Sequence, residues 1–397
     1  MKAGFLSEYF KGVVVKRLVP GEIDGEVSHQ REFNASKEMK QLFGSEKIKL
    51  QTTFFYIDDA KDTVTTHGTL TWYDARVKHP TRSEFRLLYS SSDVMRLAQA
   101  GNVMFIGLRN DGTALLIISP QESTACAQLC WLFGVQPGEK FTFRTDYDGA
   151  DMRLAYTSRI LLEELGIETD DERAIRYLDE MLDKFKNDFP TTKEFSEYAR
   201  SKVKMDGRDD ADVVLMAWFN MEEALFKVLE KHLIDQKLEE GFASTEDFIK
   251  YSLSVQNRRK SRAGLGLENH LEEIFMCRNL HYSRTPVTEN KSKPDFIFPS
   301  IEAYFDTSYP DSRLLMLGSK STCKDRWRQV LKEADKIEHK HLITLEPAIS
   351  VNQTNEMQAD KLQLVVPREI HVTYTPEQQE WLMDFSSFIH LVEKQQS

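Results

Sequence analysis

The sequence predicts two differently built domains, a β-rich N-terminal domain and an α/β C-terminal domain, joined by a helical linker. Residues 1 to about 150 alternate short apolar runs with turn signals, which is typical of many short strands. Apolar residues recur at helical spacing from about residue 151, and strand-like and helix-like runs alternate beyond about residue 187. A chain of 397 residues is long enough for two or three domains. We therefore predict domains over 1–150 and 187–397 and a linker over 151–186.

Several strand-like runs indicate that the N-terminal domain is a small barrel or sandwich. Turn signals such as Asn110-Asp111-Gly112 and Gln136-Pro137-Gly138 separate these runs. Two other runs, Val94–Gln99 and Thr124–Phe133, have helical spacing. The predicted strands are Ile48–Ile57, Thr69–Tyr73, Phe85–Tyr89, Val103–Gly107, Ala114–Ile118 and Lys140–Arg144.

The middle of the chain has helical spacing, and the remainder has an α/β layout. Strand-like and helix-like runs alternate towards the C-terminus, which is typical of an α/β domain. The linker is acidic, for example at Asp170-Asp171-Glu172, and we favour a spacer over an acidic cover for a basic cleft. The predicted helices are Asp151–Leu165, Asp171–Phe185, Lys193–Val203, Ala211–Lys237 and Leu265–Cys277.

Composition excludes a membrane protein and leaves a nucleic-acid partner open. No apolar run approaches the ~20 residues that a membrane helix needs. The N-terminal segment is too interrupted for a signal peptide, so we expect a cytoplasmic protein. The formal net charge of −11 argues only weakly against nucleic acid, because binding depends on a local basic face. Two basic runs could form such a face, at Arg258–Arg262 and Lys320–Arg328.

An acid, a lysine and a second acid near predicted strands have the chemistry of a phosphodiesterase site. Asp295 begins a strand-like run, Lys320 ends another, and Glu333 lies on a helix predicted over Cys323–Glu338. Phosphodiester hydrolysis needs an activated water and neutralised phosphate charge, which carboxylate-bound Mg²⁺ and a lysine can supply. Glu268, on the predicted helix upstream, is a further candidate acid. Taken alone, each of these residues is more often an ordinary surface charge.

Residues from about 242 to 367 resemble the catalytic domain of EcoRII-type restriction endonucleases. The resemblance is carried by the strings NRRKSRAG, LENHLEEIF, KPDFIFPS, AYFDT and STCKDRWRQVLKEADKI. It implies an α/β nuclease core of the PD-(D/E)xK type, in a variant whose second acid has moved from position 318, here glycine, to Glu333. For Tyr304, which matches a tyrosine once considered a nucleophile, we favour a structural or phosphate-contacting role. The other implied roles are Mg²⁺ ligands for Asp295 and Glu333, catalytic lysine for Lys320 and auxiliary acid for Glu268.

The same resemblance implies how DNA bases are read. In the group that cuts sites with CC/GG ends, the segment after the lysine enters the major groove, and Lys324, Asp325 and Arg326 hold the matching positions. Lysine and arginine donate to guanine and aspartate accepts from cytosine, so the side-chain chemistry agrees with that role. The upstream basic run is expected to contact phosphates, which position the protein without specifying sequence. Its members are Arg258, Arg259, Lys260 and Arg262.

The N-terminal region resembles the pseudobarrel DNA-binding domain of the same family, in which two arms grip the major groove. On a strand, alternation would direct Arg82, Glu84 and Arg86 to one side. The resemblance also implies that this domain binds a second copy of the DNA site and blocks the catalytic cleft until that copy is bound. The implied arms are Lys16, Arg17, His29 and Gln30 for one and Arg82, Glu84 and Arg86 for the other.

These expectations combine into a Mg²⁺-dependent, sequence-specific endonuclease acting on double-stranded DNA. We expect a homodimer, because two-fold symmetry matches a palindromic site. One alternative is a nuclease directed at modified DNA, with the N-terminal domain as the modification reader. Another is a DNA-binding regulator with a decayed nuclease fold, against which the intact Asp295, Lys320 and Glu333 argue.

Overall fold

The chain forms two compact units. A computed structural model describes residues 6, 9–23, 31–59, 61–144, 161–163, 165–167, 172–323 and 326–397. The first unit comprises Met1–Thr169 together with Ala348–Asn352, and the second comprises Asp170–Pro347 and Gln353–Ser397. Among the described residues, no helix combines the length and the apolar character that a membrane crossing requires.

The first unit is built on one eight-stranded sheet of order β2-β5-β4-β3-β7-β6-β1-β8. Neighbouring strands pair antiparallel except β3 and β7, which are parallel. The strands are β1 (Phe10–Arg17), β2 (Glu32–Asn34), β3 (Ile48–Asp58), β4 (Lys61–Asp74), β5 (Phe85–Tyr89), β6 (Val103–Arg109), β7 (Ala114–Ser119) and β8 (Thr142–Arg144). The helices are α1 (Lys37–Phe43), α2 (Asp93–Leu97) and α3 (Thr124–Phe133).

Both faces of this sheet are covered by apolar side chains. Along β6, Met104 and Ile106 pack into one core cluster, while Val103 and Phe105 pack into the other. Alternation sends successive side chains to opposite faces, so a strand buried on both sides has a continuous apolar sequence. The end strands β2 and β8 contribute to one shared cluster through Phe33 and Phe143, which indicates that the sheet curls around that core.

The predicted strands of the first unit are confirmed, with shifted ends. The main difference is β4, which extends from Lys61 rather than beginning at Thr69. β1 and β2 were not predicted. In β1, a run of buried valines lacks the alternation of apolar and polar residues that identifies a half-exposed strand.

The second unit packs helices around a five-stranded sheet of order β13-β12-β11-β10-β9. β9, β10 and β11 pair antiparallel, whereas β11, β12 and β13 are parallel. The strands are β9 (Ser283–Arg284), β10 (Phe296–Phe298), β11 (Leu315–Lys320), β12 (Lys340–Thr344) and β13 (Leu362–Val365). The helices are α4 (Glu172–Ile175), α5 (Leu178–Phe185), α6 (Thr192–Ser201), α7 (Ala211–Glu240), α8 (Thr245–Cys277), α9 (Ile301–Phe305), α10 (Trp327–Val330), α11 (Val351–Ala359), α12 (Pro376–Trp381) and α13 (Phe385–Gln396). This mixed sheet with helices agrees with the predicted α/β class.

Residues 151–186 do not form one separate linker. Leu161, Leu162, Leu165 and Ile167 pack into a core cluster of the first unit. Ala174 of α4 and Met181 of α5 are fully buried in a helical cluster of the second unit. The boundary between the units therefore falls at 169/170, within the segment that the acidic composition had suggested was a spacer. Most of the helix predicted over Asp151–Leu165 lies outside the described residues.

Two predicted helices of the second unit differ in length from those observed. The helix predicted over Leu265–Cys277 is the last part of α8, which begins at Thr245. The helix predicted over Cys323–Glu338 is wrong beyond one turn, because α10 spans only Trp327–Val330. The apolar residues at helical spacing are nevertheless mostly buried, including Trp327, Val330, Ala334 and Ile337. Burial of a compact turn can therefore produce the same spacing as a helix.

A buried ion cluster joins α7 to α8. Glu222, whose side chain has no exposed area, lies 3.3 Å from the Arg262 guanidinium and 3.0 Å from His270 Nε2. A Cβ at Gly266 would lie 2.5 Å from Glu222 Oε1, whereas a Cβ at Gly264 would meet no atom within 4 Å. Gly266 therefore lets the two helices approach around the buried carboxylate.

Two glycine-to-alanine variants in α8 test this packing. Gly264→Ala should raise the free energy of unfolding by about 0.5–1 kcal/mol, because alanine is the better helix former. Gly266→Ala should lower it by about 1–3 kcal/mol, because the methyl group collides with Glu222. Urea unfolding monitored by circular dichroism measures both, and a stabilising Gly266→Ala would contradict the packing.

Candidate active site

Asp295 and Lys320 meet at one end of the β10–β11 pair. Asp295 directly precedes β10, and Lys320 is the last residue of β11. The register pairs Phe296 with Leu317, which places Asp295 beside the end of β11. The Ser319 backbone N–H donates to Asp295 Oδ2 at 2.7 Å, and Lys320 Nζ donates to the same oxygen at 3.2 Å. Strand pairing thus brings together two residues that are distant in sequence.

Glu333 reaches this pair from a turn after α10. The turn is non-helical, since Ala334 has a left-handed φ of +49°, so Glu333 does not lie on the helix that the sequence predicts. A Cβ at Gly318 would lie 3.1 Å from both γ-methyl groups of Val330. The space that an acid at position 318 would need is therefore filled from α10. The carboxylate is supplied instead by the segment that follows it.

The carboxylate of Glu333 is electrostatically unfavourable in the folded chain. Burial and the nearby negative charge of Asp295 raise the pKa of Glu333 to about 7, against the opposing influence of Lys320 and Lys340. Its Oε2 atom is buried and has no hydrogen-bond partner in the described part of the chain. Lys320 and Lys340 thus compensate the negative charge of Glu333 only in part, a condition found more often at functional sites than in structural ion pairs.

This arrangement fits a hard divalent cation. Carboxylate oxygens are the ligands that Mg²⁺ prefers, and Mg²⁺ keeps several waters, so one or two protein carboxylates are enough. Asp295 and the orphaned Glu333 oxygen supply those two. Within the described residues, no group of three or more histidine, cysteine, aspartate or glutamate side chains could hold a metal.

Glu268 lies beside the same site but is held by Arg284. The Arg284 guanidinium lies 3.1 Å from Glu268 Oε2 and also contacts Glu272 at 2.5 Å and Asn269 at 3.0 Å. Burial and the charge of Asp295 raise the pKa of Glu268, while Arg284 and Lys320 oppose the rise. The site thus gathers a third acid, as the sequence suggested, next to an arginine of β9 that sequence reasoning missed.

Tyr304 is a structural residue rather than an exposed nucleophile. Its side chain is fully buried, and its hydroxyl donates to Glu289 Oε2 at 2.6 Å and accepts from the Lys336 backbone N–H at 3.2 Å. Burial and the hydrogen bond to Glu289 raise the pKa of Tyr304 well above its ordinary value. This geometry fits the structural role favoured for Tyr304 and does not fit a nucleophile.

The upstream basic run is largely occupied by internal contacts. Arg262 is buried and pairs with Glu222 and Glu223, so a role for it in phosphate contact is contradicted. Arg259 pairs with Glu230 at 2.7 Å. The Arg258 guanidinium lies 3.9 Å from the centre of the Phe189 ring, and Arg258 is half-buried. Lys260 lies in α8, and its side chain is outside the described part.

The segment after Lys320 is only partly described. Arg326 is exposed and donates to the Thr322 carbonyl at 2.9 Å and to its hydroxyl at 2.6 Å. Lys324 and Asp325 lie outside the described residues. The base-reading role of these three residues therefore stays a prediction.

In the first unit, the predicted DNA contacts have mixed placements. Lys16 is 6% exposed and pairs with Glu22 at 2.5 Å, so it does not fit a DNA-reading arm. Arg17 is half-buried at the end of β1, and His29 and Gln30 lie outside the described residues. Among the described residues of the first arm, Arg17 is therefore the candidate base reader that is partly exposed.

The second predicted arm differs from a simple alternating strand. β5 begins at Phe85, so Arg82 and Glu84 precede it. Arg86 contacts Glu84 at 2.8 Å and Glu32 of β2 at 2.9 Å, whereas Arg82 is exposed. Glu84 and Arg86 therefore do lie on one side, but as members of an ion-pair network.

Comparison with known proteins places the three site residues in a matched region. Residues 226–389 match the sequence model of the family described as EcoRII C terminal. Over 203 residues the chain is 43% identical to the type II restriction enzyme EcoRII of Escherichia coli. The matched residues make up 51% of this chain and 50% of that enzyme. The match thus spans about half the length of this curated relative.

Solved structures of two other enzymes are similar to parts of the chain. Metal-depleted Ecl18kI in complex with uncleaved DNA is 17% identical, with a TM-score of 0.46, over 56% of this chain and 84% of that one. The complex of restriction endonuclease PspGI with substrate DNA is 17% identical, with a TM-score of 0.43. The similarity covers 52% of this chain and 93% of that one.

The raised pKa of Glu333 predicts a pH-dependent stability effect. Because folding favours its protonated form, the stability that this group contributes is lost as pH rises from its ordinary pKa of 4.5 through about 7. In EDTA, Glu333→Gln should therefore be more stable than the wild type at pH 8, with a much smaller difference at pH 5. Urea unfolding at both pH values measures this, and Glu380→Gln, at an exposed glutamate of α12, is the control. Equal stability of Glu333→Gln and the wild type at pH 8 would contradict the buried placement.

Proposed function

We propose that this chain, whose residues 226–389 belong to the EcoRII C-terminal family, is a type II restriction endonuclease that cleaves double-stranded DNA. The observation that carries the proposal is the meeting of Asp295, Lys320 and Glu333 at the end of β11, where Lys320 and Asp295 lie 3.2 Å apart. Two acids and a lysine with an uncompensated buried oxygen suit phosphodiester hydrolysis better than they suit a structural ion pair.

In this mechanism Asp295 and Glu333 would hold Mg²⁺, and Lys320 would act on the phosphate or the attacking water. The bound ion would supply charge neutralisation at the phosphate and activation of water. Lys320 Nζ is held by Asp295 Oδ2 and by the Ser319 carbonyl at 3.0 Å, which aims a positive charge at the edge of the sheet. Ser319 orients Asp295 through its backbone N–H, so Asp295 is positioned before any ligand arrives.

Glu268 has a supporting role in the proposed reaction. Its raised pKa reflects burial and the charge of Asp295, so it can take up or release a proton beside the metal ligands. Arg284 fixes its orientation by contacting both Glu268 and Glu272. We assign Glu268 the part of an auxiliary acid rather than that of a metal ligand.

We further propose that the enzyme cuts a palindromic site with CC/GG ends as a homodimer. Lys324, Asp325 and Arg326 would read the outer base pairs, because they follow Lys320 closely and carry the donors and acceptor that guanine and cytosine require. A palindrome presents two equivalent strands, and two active sites related by two-fold symmetry would cut both. Arg258, Arg259 and Lys260 remain the candidate phosphate contacts of the upstream basic run.

The first unit is proposed to bind a second copy of the DNA site and to restrain the nuclease until it does. Support comes from the exposed Arg82 and from the Glu84–Arg86 network beside β5, which presents donors and acceptors on one side.

Replacing the proposed catalytic lysine tests the reaction. Lys320→Ala should reduce Mg²⁺-dependent plasmid cleavage by at least about a thousandfold while leaving DNA binding nearly unchanged, because charge at the transition state is lost. Gel-based cleavage with mapping of the cut ends measures the first quantity, and fluorescence anisotropy measures the second. Lys361→Ala, at an exposed lysine paired with Glu338, is the matched control.

The same assay separates the alternatives. Cleavage by Lys320→Ala at the wild-type rate would remove Lys320 from the mechanism. If the wild type cuts only modified plasmid DNA, the enzyme is a nuclease for modified DNA. Specific binding without cleavage of any substrate, modified or unmodified, would leave a DNA-binding regulator.

Truncation tests the division between the units. A fragment of residues 170–397 should fold and cleave DNA without needing a second site, whereas 187–397 should be less stable by about 3–6 kcal/mol, because it lacks buried Ala174 and Met181 with their helices. Thermal unfolding and cleavage of one-site and two-site plasmids are the measurements. Equal stability of the two fragments would contradict the boundary at 169/170, and a folded but inactive 170–397 fragment would contradict the restraining role.

A further inference from the structure

We propose that Glu289 and Tyr304 are positioning residues for Glu333, acting by holding the turn that carries it. The inference rests on the proposed function, in which Glu333 is a metal ligand. Neither residue belongs to the Asp295–Lys320–Glu333 group, and Tyr304 does not act as a nucleophile. Their contribution would be to fix, through hydrogen bonds, the turn from which the Glu333 carboxylate projects.

The backbone around Glu333 forms short turns rather than a continuous helix. α10 ends at Val330, and the Glu333 N–H donates to the Val330 carbonyl at 3.1 Å as the chain leaves the helix. Ala334 follows in the left-handed region with φ of +49°, which costs a non-glycine residue on the order of 1 kcal/mol or more. Such a turn persists only where surrounding contacts determine it.

Those contacts lie on both sides of Glu333. Before it, the Ser292 hydroxyl donates to the Lys332 carbonyl at 3.3 Å. After it, the Lys336 backbone N–H donates to the Tyr304 hydroxyl at 3.2 Å, and Lys336 Nζ donates to the Tyr304 carbonyl at 2.7 Å. Tyr304 is fully buried, so it is a fixed point to which the turn is attached.

Glu289 completes the attachment. It accepts the Tyr304 hydroxyl at 2.6 Å, which orients the tyrosine oxygen to receive the Lys336 N–H. Partial burial opposes ionisation of Glu289, but hydrogen bonds from Tyr304 and from the backbone of residues 289 and 335, with the charge of Lys336, lower its pKa. The ionised carboxylate thus contacts the turn at residue 335 as well as through Tyr304.

This geometry explains how Glu333 can remain near Asp295. The backbone position of residues 332–336 determines where the Glu333 side chain lies, so a loosely held turn would let it move towards solvent. The bonds from Glu289 and Tyr304 oppose that movement. They would hold Glu333, the second proposed ligand, in place before the metal binds. This pre-organisation makes the free energy of metal binding more favourable.

The test measures metal binding and backbone protection in the full-length protein. Mn²⁺ binding to the metal-free protein is followed by electron paramagnetic resonance, and amide exchange of residues 333–336 by mass spectrometry. Tyr304→Phe keeps the ring and removes the hydroxyl, so it should weaken Mn²⁺ binding about three- to tenfold, the effect of one or two hydrogen bonds. Glu289→Gln should weaken binding similarly, and the double variant should lose less than the product of the two. In each variant, exchange of residues 333–336 should accelerate.

Tyr198→Phe is the matched control, because Tyr198 is buried in the helical core cluster of the same unit and not beside the turn. It should leave Mn²⁺ binding and the exchange of residues 333–336 unchanged. Unaltered Mn²⁺ affinity in Tyr304→Phe, or a loss equal to that in Tyr198→Phe, would overturn the positioning role.

Glu333→Ala distinguishes failure of the proposed function from failure of the positioning inference. If it leaves Mn²⁺ binding intact, or if the wild type does not bind Mn²⁺, the proposed role of Glu333 fails. If Glu333→Ala abolishes binding and Tyr304→Phe does not weaken it, only the positioning inference fails.

Discussion

The approach of two partly buried carboxylates, Asp295 and Glu333, beside Lys320 is the constraint on which the rest of the C-terminal unit depends. Burial and like charge both disfavour the ionised form of Glu333 at this place. Together they raise its pKa to about 7. A fold selected for stability alone would separate the two acids or pair each with its own cation. An arrangement that breaks this rule at one place, in an otherwise well-packed unit, is typical of a functional site.

The surrounding structure holds this arrangement by rigid elements on each side. Pairing of β10 with β11 fixes Asp295 against Ser319 and Lys320. Val330 occupies the space above Gly318, so the second acid must come from the following turn. α8 and β9 add Glu268 and Arg284 from the other side, and the buried Glu222–Arg262–His270 cluster locks α8 to α7. Each contact restricts the site before a ligand is bound.

The sequence predicted the elements that depend on short-range patterns and the residues that belong to a recognisable string. Strand runs such as Phe85–Tyr89 and the helix Thr124–Phe133 were located well, and so were Asp295 and Lys320, because strand ends deliver side chains to a shared edge. The turn at Glu333 was predicted as a helix, since Trp327, Val330, Ala334 and Ile337 are buried at helical spacing for tertiary reasons. From the sequence alone, Arg262 and Lys16 are expected to be surface cations. Contacts with residues distant in sequence, Glu222 for Arg262 and Phe141 for Lys16, accompany their burial. Arg284 and Glu289 carried no recognisable signal, because their roles depend on contacts across the sheet and the turn.

Iron-mediated cleavage of the polypeptide tests the location of the metal most directly. Fe²⁺ replaces Mg²⁺ in carboxylate sites, and with ascorbate and peroxide it generates radicals that cut the backbone close to the bound ion. With the metal-free protein bound to DNA, the account predicts cuts near residues 295, 318–320 and 333, mapped by mass spectrometry and suppressed by excess Mg²⁺. Glu333→Ala should remove them. Cuts confined to other parts of the chain, or cuts near these residues that persist in Glu333→Ala, would contradict a metal held between Asp295 and Glu333.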